Sequence, residues 1–150
     1  MFEDLRDLYQ EVILDHGRRP RHGHRLAAYD ASAKGDNPMC GDRVQVWVKH
    51  AADGRIAETG FEARGCAISI ASADLMAETV AGSTPAEARA LFARFRDMAR
   101  TGVCIESDAL LERLRPLAGV HAYPSRVKCA TLAWHALLAA LDGNGEATSE

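Results

Sequence analysis

Arg43-Val44-Gln45-Val46-Trp47-Val48-Lys49 is the stretch on which the fold turns. Val44, Val46 and Val48 alternate with Arg43, Gln45, Trp47 and Lys49, the period of two that a half-buried strand requires. Ala52-Asp53-Gly54 is a turn signal, and Arg55 to Ala63 reads as the returning strand. A weaker strand falls near Tyr29 to Lys34. The expectation is a small antiparallel sheet of three strands.

Helical signals surround it. Upstream, Leu5, Leu8, Tyr9, Val12 and Ile13 keep the spacing of one helix face, which Gly17 and Pro20 end. Downstream, alanine-rich Ala67 to Ala81 is closed by Gly82. Thr84-Pro85-Ala86-Glu87 is a capping box with proline at the first helical position. Ala88, Leu91, Phe92, Phe95 and Met98 continue that helix. Leu110, Leu111 and Leu114 mark a short helix stopped around Pro116, and Leu132, Ala133, Leu137, Leu138 and Leu141 mark the last one. The fold class is α+β, with the sheet N-terminal and the helices mostly C-terminal. Residues 1–141 read as a single domain and 142–150 as a polar, frayed tail.

Composition narrows the function. A chain of 150 residues buries enough surface to fold without disulfide staples. A net charge of −3 leaves no electrostatic footprint for nucleic acid. No apolar run approaches the ~18 residues that span a bilayer, and the acidic, amphipathic start is unlike a signal peptide. A cytoplasmic, monomeric protein is expected. The loop Arg18 to Arg25 is the basic stretch, with His22 and His24 among four arginines. It reads either as a solvated loop or as a docking patch for an acidic partner.

The cysteines are Cys40, Cys66, Cys104 and Cys129. A reducing compartment disfavours disulfides. No Cys-x-x-Cys pair is present, which argues against a thioredoxin-like redox site and a zinc ribbon, and the zinc-deaminase signature is missing. Asn37-Pro38-Met39-Cys40-Gly41-Asp42 lies in the turn before the valine strand. Residues i and i+2 of an extended segment point to one side, so a thiolate at Cys40 and the Asp42 carboxylate can face one point. Gly65-Cys66 falls where the returning strand meets a helix, and Cys129 near the start of the last helix. At both places a helix N-terminus favours the thiolate. Three thiols and one carboxylate suit tetrahedral zinc. The long separations rule out a finger and leave two readings open: a site assembled by tertiary structure, or buried structural thiols.

Four motifs together carry a resemblance: Leu8-Tyr9 through Asp15-His16, Asn37 to Asp42, Gly65-Cys66-Ala67-Ile68-Ser69, and Arg126-Val127-Lys128-Cys129-Ala130-Thr131-Leu132-Ala133-Trp134. In that order they resemble the SufU branch of the IscU/NifU-N superfamily, from about Leu5 to Leu141. The resemblance implies a three-stranded sheet packed by helices and one zinc held by Cys40, Asp42, Cys66 and Cys129. It implies a pyridoxal-phosphate cysteine desulfurase of the SufS type as partner, with Cys40 accepting persulfide sulfur and passing it to downstream iron–sulfur assembly proteins. It further implies that docking lets a histidine of the desulfurase replace the Cys40 thiolate on zinc. Such a swap has a physical logic: a zinc-bound thiolate is ionised but quiet, and its release makes an attacker for sulfur exchange. Arg126 resembles the arginine that assists the swap and the docking; a surface arginine near a helix start is the plainer reading.

The sister IscU scaffolds, which build a transient [2Fe-2S] cluster, are the alternative. Lys128 stands where they carry histidine. Ala122-Tyr123-Pro124-Ser125 stands where they carry a Leu-Pro-Pro-Val-Lys motif, and Gly82 to Gly102 resembles the extra stretch of SufU proteins. A zinc-stabilised interaction module without sulfur chemistry is a second alternative, weakened by an oxygen ligand among thiolates. Cys104 reads as a loop or core thiol, Met39, Trp47 and Trp134 as packing. His121 and His135 read as helix-face or core residues, and His16 as capping the first helix and facing the partner. Gly17 departs from the family, where an aromatic often follows Asp-His.

Overall fold

The computed structural model describes residues 2–38, 41–103 and 108–148. Helix α1 (Phe2–Arg18) leads into strands β1 (Ala31–Asn37), β2 (Asp42–His50) and β3 (Ile56–Arg64). The remaining chain is helical through α2 (Ala67–Val80), α3 (Pro85–Thr101), α4 (Ala109–Leu114), a 3₁₀ segment (Arg115–Ala122) and α5 (Pro124–Leu141). A three-residue strand, β4 (Glu146–Thr148), closes the described chain.

The alternating valines make β2 the centre of the sheet. It pairs antiparallel with β1 (Ala33 opposite Val46, Gly35 opposite Val44) and with β3 (Val46 opposite Phe61). Val44, Val46 and Val48 are buried on the helix-covered side. Asp42 shares their parity, so the alternation that buries the valines also drives its carboxylate inward. Asn37 stands opposite Asp42, and residues 38–41 are the loop that links the two strands in sequence. That loop contains Cys40, which lies outside the described residues, as does Cys104.

Two expectations are corrected. The sheet has four strands, in the order β3-β2-β1-β4, because β4 pairs parallel with β1 (Lys34 opposite Glu146). The segment read as a frayed tail therefore returns to the sheet edge, where the Lys34 N–H bonds the Gly145 carbonyl at 2.9 Å. Glu-Ala-Thr carries no alternation that a sequence reading could detect; the backbone of β1 supplies its order. The last helix also begins at Pro124, well before its leucine stripe, with proline in its first turn.

The capping box is formed: Thr84 Oγ1 accepts from the Glu87 N–H, and Glu87 Oε1 accepts from the Thr84 N–H, both at 3.1 Å. Helix α3 then buries Phe92 and Phe95 against Trp134 of α5, with ring centroids 5.7 and 5.1 Å away. Helices α2 and α5 lie beneath the sheet, and α1 packs along α2.

The loop after α1 is neither free nor wholly solvated. Its His22 carbonyl accepts from the Phe61 N–H on the β3 edge, and Leu26 is buried. Arg25 lies over the rings of Trp47 and Tyr29, covering the outer face of the sheet. Arg21 pairs with Asp15 at 2.5 Å, which leaves Arg18 and Arg19 exposed.

Candidate metal centre

Three elements converge at the inner end of the hairpin. Asp42 opens β2, Cys66 is the N-cap residue of α2, and Cys129 lies in the second turn of α5. One ligand atom from each lies within 4.8 Å of the other two. Asp42 and Cys129 are buried, while Cys66 opens to the surface.

The β3–α2 junction is shaped around Asp42. Gly65 holds φ at +149°, and a Cβ at that position would overlap the Asp42 carboxylate. Without it, the chain passes close enough for the Cys66 N–H to donate to Asp42 Oδ1 at 3.2 Å. Cys66 Sγ lies 3.6 Å from Asp42 Oδ2. Ser69, one turn along α2, donates to Oδ2 at 2.6 Å, and its hydroxyl also lies 3.3 Å from the Cys129 carbonyl.

This donor set fits zinc. Ligand atoms on a tetrahedral zinc at ordinary Zn–S and Zn–O bond lengths sit about 3.3–3.8 Å apart, the range of the Cys66–Asp42 separation. The electrostatics also call for a cation. Burial, with the Asp42 carboxylate and Cys66 beside it, pushes the Cys129 thiol far above its usual range. The expected helix-dipole help does not reach Cys129, because α5 starts five residues earlier and the side chain is buried. A divalent ion would offset that penalty, ionising the thiol as it binds. Asp42, Cys66 and Cys129 would hold it from this side.

The other predicted residues separate clearly. Arg126 is exposed, and its guanidinium lies 4.7 Å from the Tyr123 ring centroid, one turn before Cys129. His16 is in the last turn of α1, but its ring turns inward: Nδ1 lies 2.5 Å from Oδ2 of Asp74, a fully buried carboxylate of α2. The His22 N–H bonds the other oxygen of Asp74 at 2.8 Å. Gly17 explains why no aromatic follows His16 here, since a Cβ would press on the Ala67 carbonyl at 3.1 Å, directly after Cys66. His121 is exposed against the Ala118 carbonyl, and His135 is half-buried, edge-on to Phe92.

Ser69 is the site residue that motif reading passed over. Its spacing, three residues after Cys66, places it on that residue's helix face, but only the meeting of α2 with β2 gives it a role.

With this geometry in view, the comparisons divide the family question from the functional one. The model of the NifU-like N terminal domain matches residues 8–144. The chain belongs to that family. It is 38% identical over 143 residues to the iron–sulfur cluster assembly scaffold protein IscU of Streptococcus pyogenes, covering 95% of this chain and 88% of that one. It is equally 38% identical, over 135 residues, to the zinc-dependent sulfurtransferase SufU of Bacillus subtilis, covering 89% of each. A crystal structure of the N-terminal part of a nitrogen-fixing NifU-like protein from Brucella abortus superposes with a TM-score of 0.80 at 25% identity, covering 93% of this chain and 95% of that one. This is thus a chain of the IscU/SufU family of iron–sulfur cluster assembly proteins. Identity alone does not separate the two branches. No helix among the described residues is long and apolar enough to cross a membrane.

Proposed function

We propose that this protein is a zinc-dependent sulfur acceptor that receives persulfide sulfur from a SufS-type, pyridoxal-phosphate cysteine desulfurase. The observation that carries the reading is the meeting of Asp42, Cys66 and Cys129 at the start of β2, two residues in sequence after Cys40. Two thiols and a carboxylate converge there, and Cys40 precedes the carboxylate by two residues in sequence, which supports the donor set that the motifs imply.

In the transfer, the Cys40 thiolate attacks the terminal sulfur of the desulfurase persulfide. A new S–S bond forms on Cys40, the S–S bond of the desulfurase breaks, and that enzyme's cysteine leaves as a thiolate. No external oxidant or reductant is needed. Bound zinc would keep the surrounding thiols ionised at neutral pH. Asp42, Cys66 and Cys129 hold the site while Cys40 exchanges, and Arg126 with Tyr123 offers a cationic, aromatic contact for the docking partner. The sulfur then passes to downstream iron–sulfur assembly proteins in the cytoplasm.

Lys128 and helix α3 support this over the scaffold reading. The test is desulfurase turnover with the zinc-loaded protein, the zinc-stripped protein and Cys40→Ala. Strong stimulation by the zinc-loaded wild type alone is expected. No stimulation by any form would overturn the reading, and reconstitution would then decide between a [2Fe-2S] scaffold and a structural zinc module.

A further inference from the structure

Ser69 stands where all three ligand-bearing elements meet. It belongs to α2, is 5% exposed, and reaches Asp42 of β2 and the backbone of Cys129 in α5. Its Oγ also lies 3.8 Å from Cys66 Sγ. A hydroxyl has one proton to give. The 2.6 Å contact to a carboxylate takes it in preference to the 3.3 Å contact to a carbonyl, because hydrogen bonds to an ionised acceptor are shorter and stronger.

The consequence falls on Asp42. Its Oδ1 already accepts from the Cys66 N–H, and its Oδ2 accepts from Ser69. Oδ2 is also the oxygen 3.6 Å from Cys66 Sγ, hence the one on the thiol side. With both oxygens engaged, the carboxylate cannot swing to offer the pair of them to a cation.

We infer that Ser69 is a positioning residue that restricts Asp42 to one-oxygen coordination, and so selects a four-coordinate metal over one of higher coordination number. This rests on reading the site as a metal centre, but not on sulfur transfer. Carboxylates free to bind through two oxygens suit metals that take five or six ligands, whereas zinc among thiolates takes four. Groups that orient a metal ligand typically alter affinity about 10–100-fold when removed.

Ser72 supplies the control. One turn further along α2, its hydroxyl donates to the Ala130 carbonyl at 2.5 Å, so it ties α2 to the α5 backbone where Ser69 ties α2 to Asp42. No carboxylate takes part in that bond.

The experiment uses the full chain, chelator-treated, with cobalt(II) as a spectroscopic probe and zinc measured by competition with a chromogenic chelator. Circular dichroism first establishes that each variant is folded; if Ser69→Ala is not, Ser69→Gly takes its place. For Ser69→Ala we expect zinc affinity lower by about 10–100-fold and weaker cobalt ligand-field bands, as the carboxylate turns to bind through both oxygens. Ser69→Thr should restore both, and Ser72→Ala should leave both at wild-type values. A Ser69→Ala variant equal to wild type in both readouts would overturn the inference. So would a Ser72→Ala variant that changes the spectrum as much, since helix packing alone would then account for it. A wild-type protein that takes up neither metal would overturn the metal reading and this inference together.

Discussion

Helix α5 carries two buried regions a little over one turn apart, and they are built on opposite principles. Around Trp134 the contacts are aromatic and redundant: the indole stacks on Phe92 and tilts against Phe95, both from α3. Its Nε1 is buried with no hydrogen-bond partner among the described residues, so packing alone holds it. Around Cys129 the contacts are polar and singular. Asp42 depends on Ser69 and the Cys66 backbone, and Cys129 itself sits uneasily beside a carboxylate. The apolar region supplies stability that nothing outside the chain controls. The polar region saves part of its stability for a ligand, because the buried Asp42 carboxylate beside the buried Cys129 thiol is costly until a cation joins them.

That contrast can be broken first at its apolar end. Trp134→Ala should cost about 3–5 kcal/mol, measured by denaturant unfolding, with the gain from added zinc unchanged. Trp134→Phe should recover most of the loss, because it keeps the ring and removes an unpaired N–H. A variant that lost zinc response along with stability would mean the two regions are one.

At the polar end, the wild type should gain about 4 kcal/mol when free zinc is a thousand times its dissociation constant, and lose it to a chelator. Cys66→Ala and Cys129→Ala should show no such gain. Cys40→Ala should keep much of it, since three donors remain, while losing sulfur acceptance. Equal loss of zinc response in Cys40→Ala and Cys66→Ala would remove the division of labour between acceptor and holding ligands.

Much of this architecture was open to reading in the sequence, and the reasons differ by element. The β2 alternation and the Thr84–Glu87 box announce themselves because one local period or one local bond pair creates them. The fourth strand could not be read, since Glu146–Thr148 takes its order from a partner more than a hundred residues earlier. The start of α5 was legible in Pro124 but hidden by the strength of the leucine stripe after it, and that misplacement gave Cys129 a dipole benefit it does not have. Motif order grouped Asp42, Cys66 and Cys129, whose ligand atoms lie within 4.8 Å of one another. Ser69 and the inward turn of His16 escaped because each is a pairwise tertiary contact, invisible until α2 has met its neighbours.

The His16–Asp74 contact tests whether a polar contact on the far side of α2 shares the zinc dependence of the centre. His16→Ala strips the buried Asp74 of its side-chain partner and should cost about 1–3 kcal/mol, with or without zinc. Arg21→Ala breaks an exposed pair with Asp15 and should cost less than about 1 kcal/mol. If His16→Ala instead abolished the zinc gain, α1 would belong to the metal centre, a coupling for which the close approach of Gly17 to Ala67 provides the route.

The smallest effect returns to the aromatic region and gives it a pH dependence of its own. His135 is half-buried with its ring edge-on to Phe92, and burial, aided by the nearby Arg96, holds its pKa below the usual imidazole value. The unfolded chain takes up a proton near pH 6.5, where the folded one resists it. More protons are thus bound to the unfolded state, so stability rises with pH across that window. His135 contributes fully above about pH 7, and its contribution declines as pH falls through 6.5 towards the lower folded value. His135→Gln keeps a polar side chain and removes the titration. Melting temperatures of wild type and variant, taken in chelator from pH 7.5 to 5.5, should therefore diverge, with the wild type losing stability faster on acidification. Parallel curves would mean that His135 is protonated as readily in the fold as outside it, and that the aromatic region is less closed to water than its packing implies.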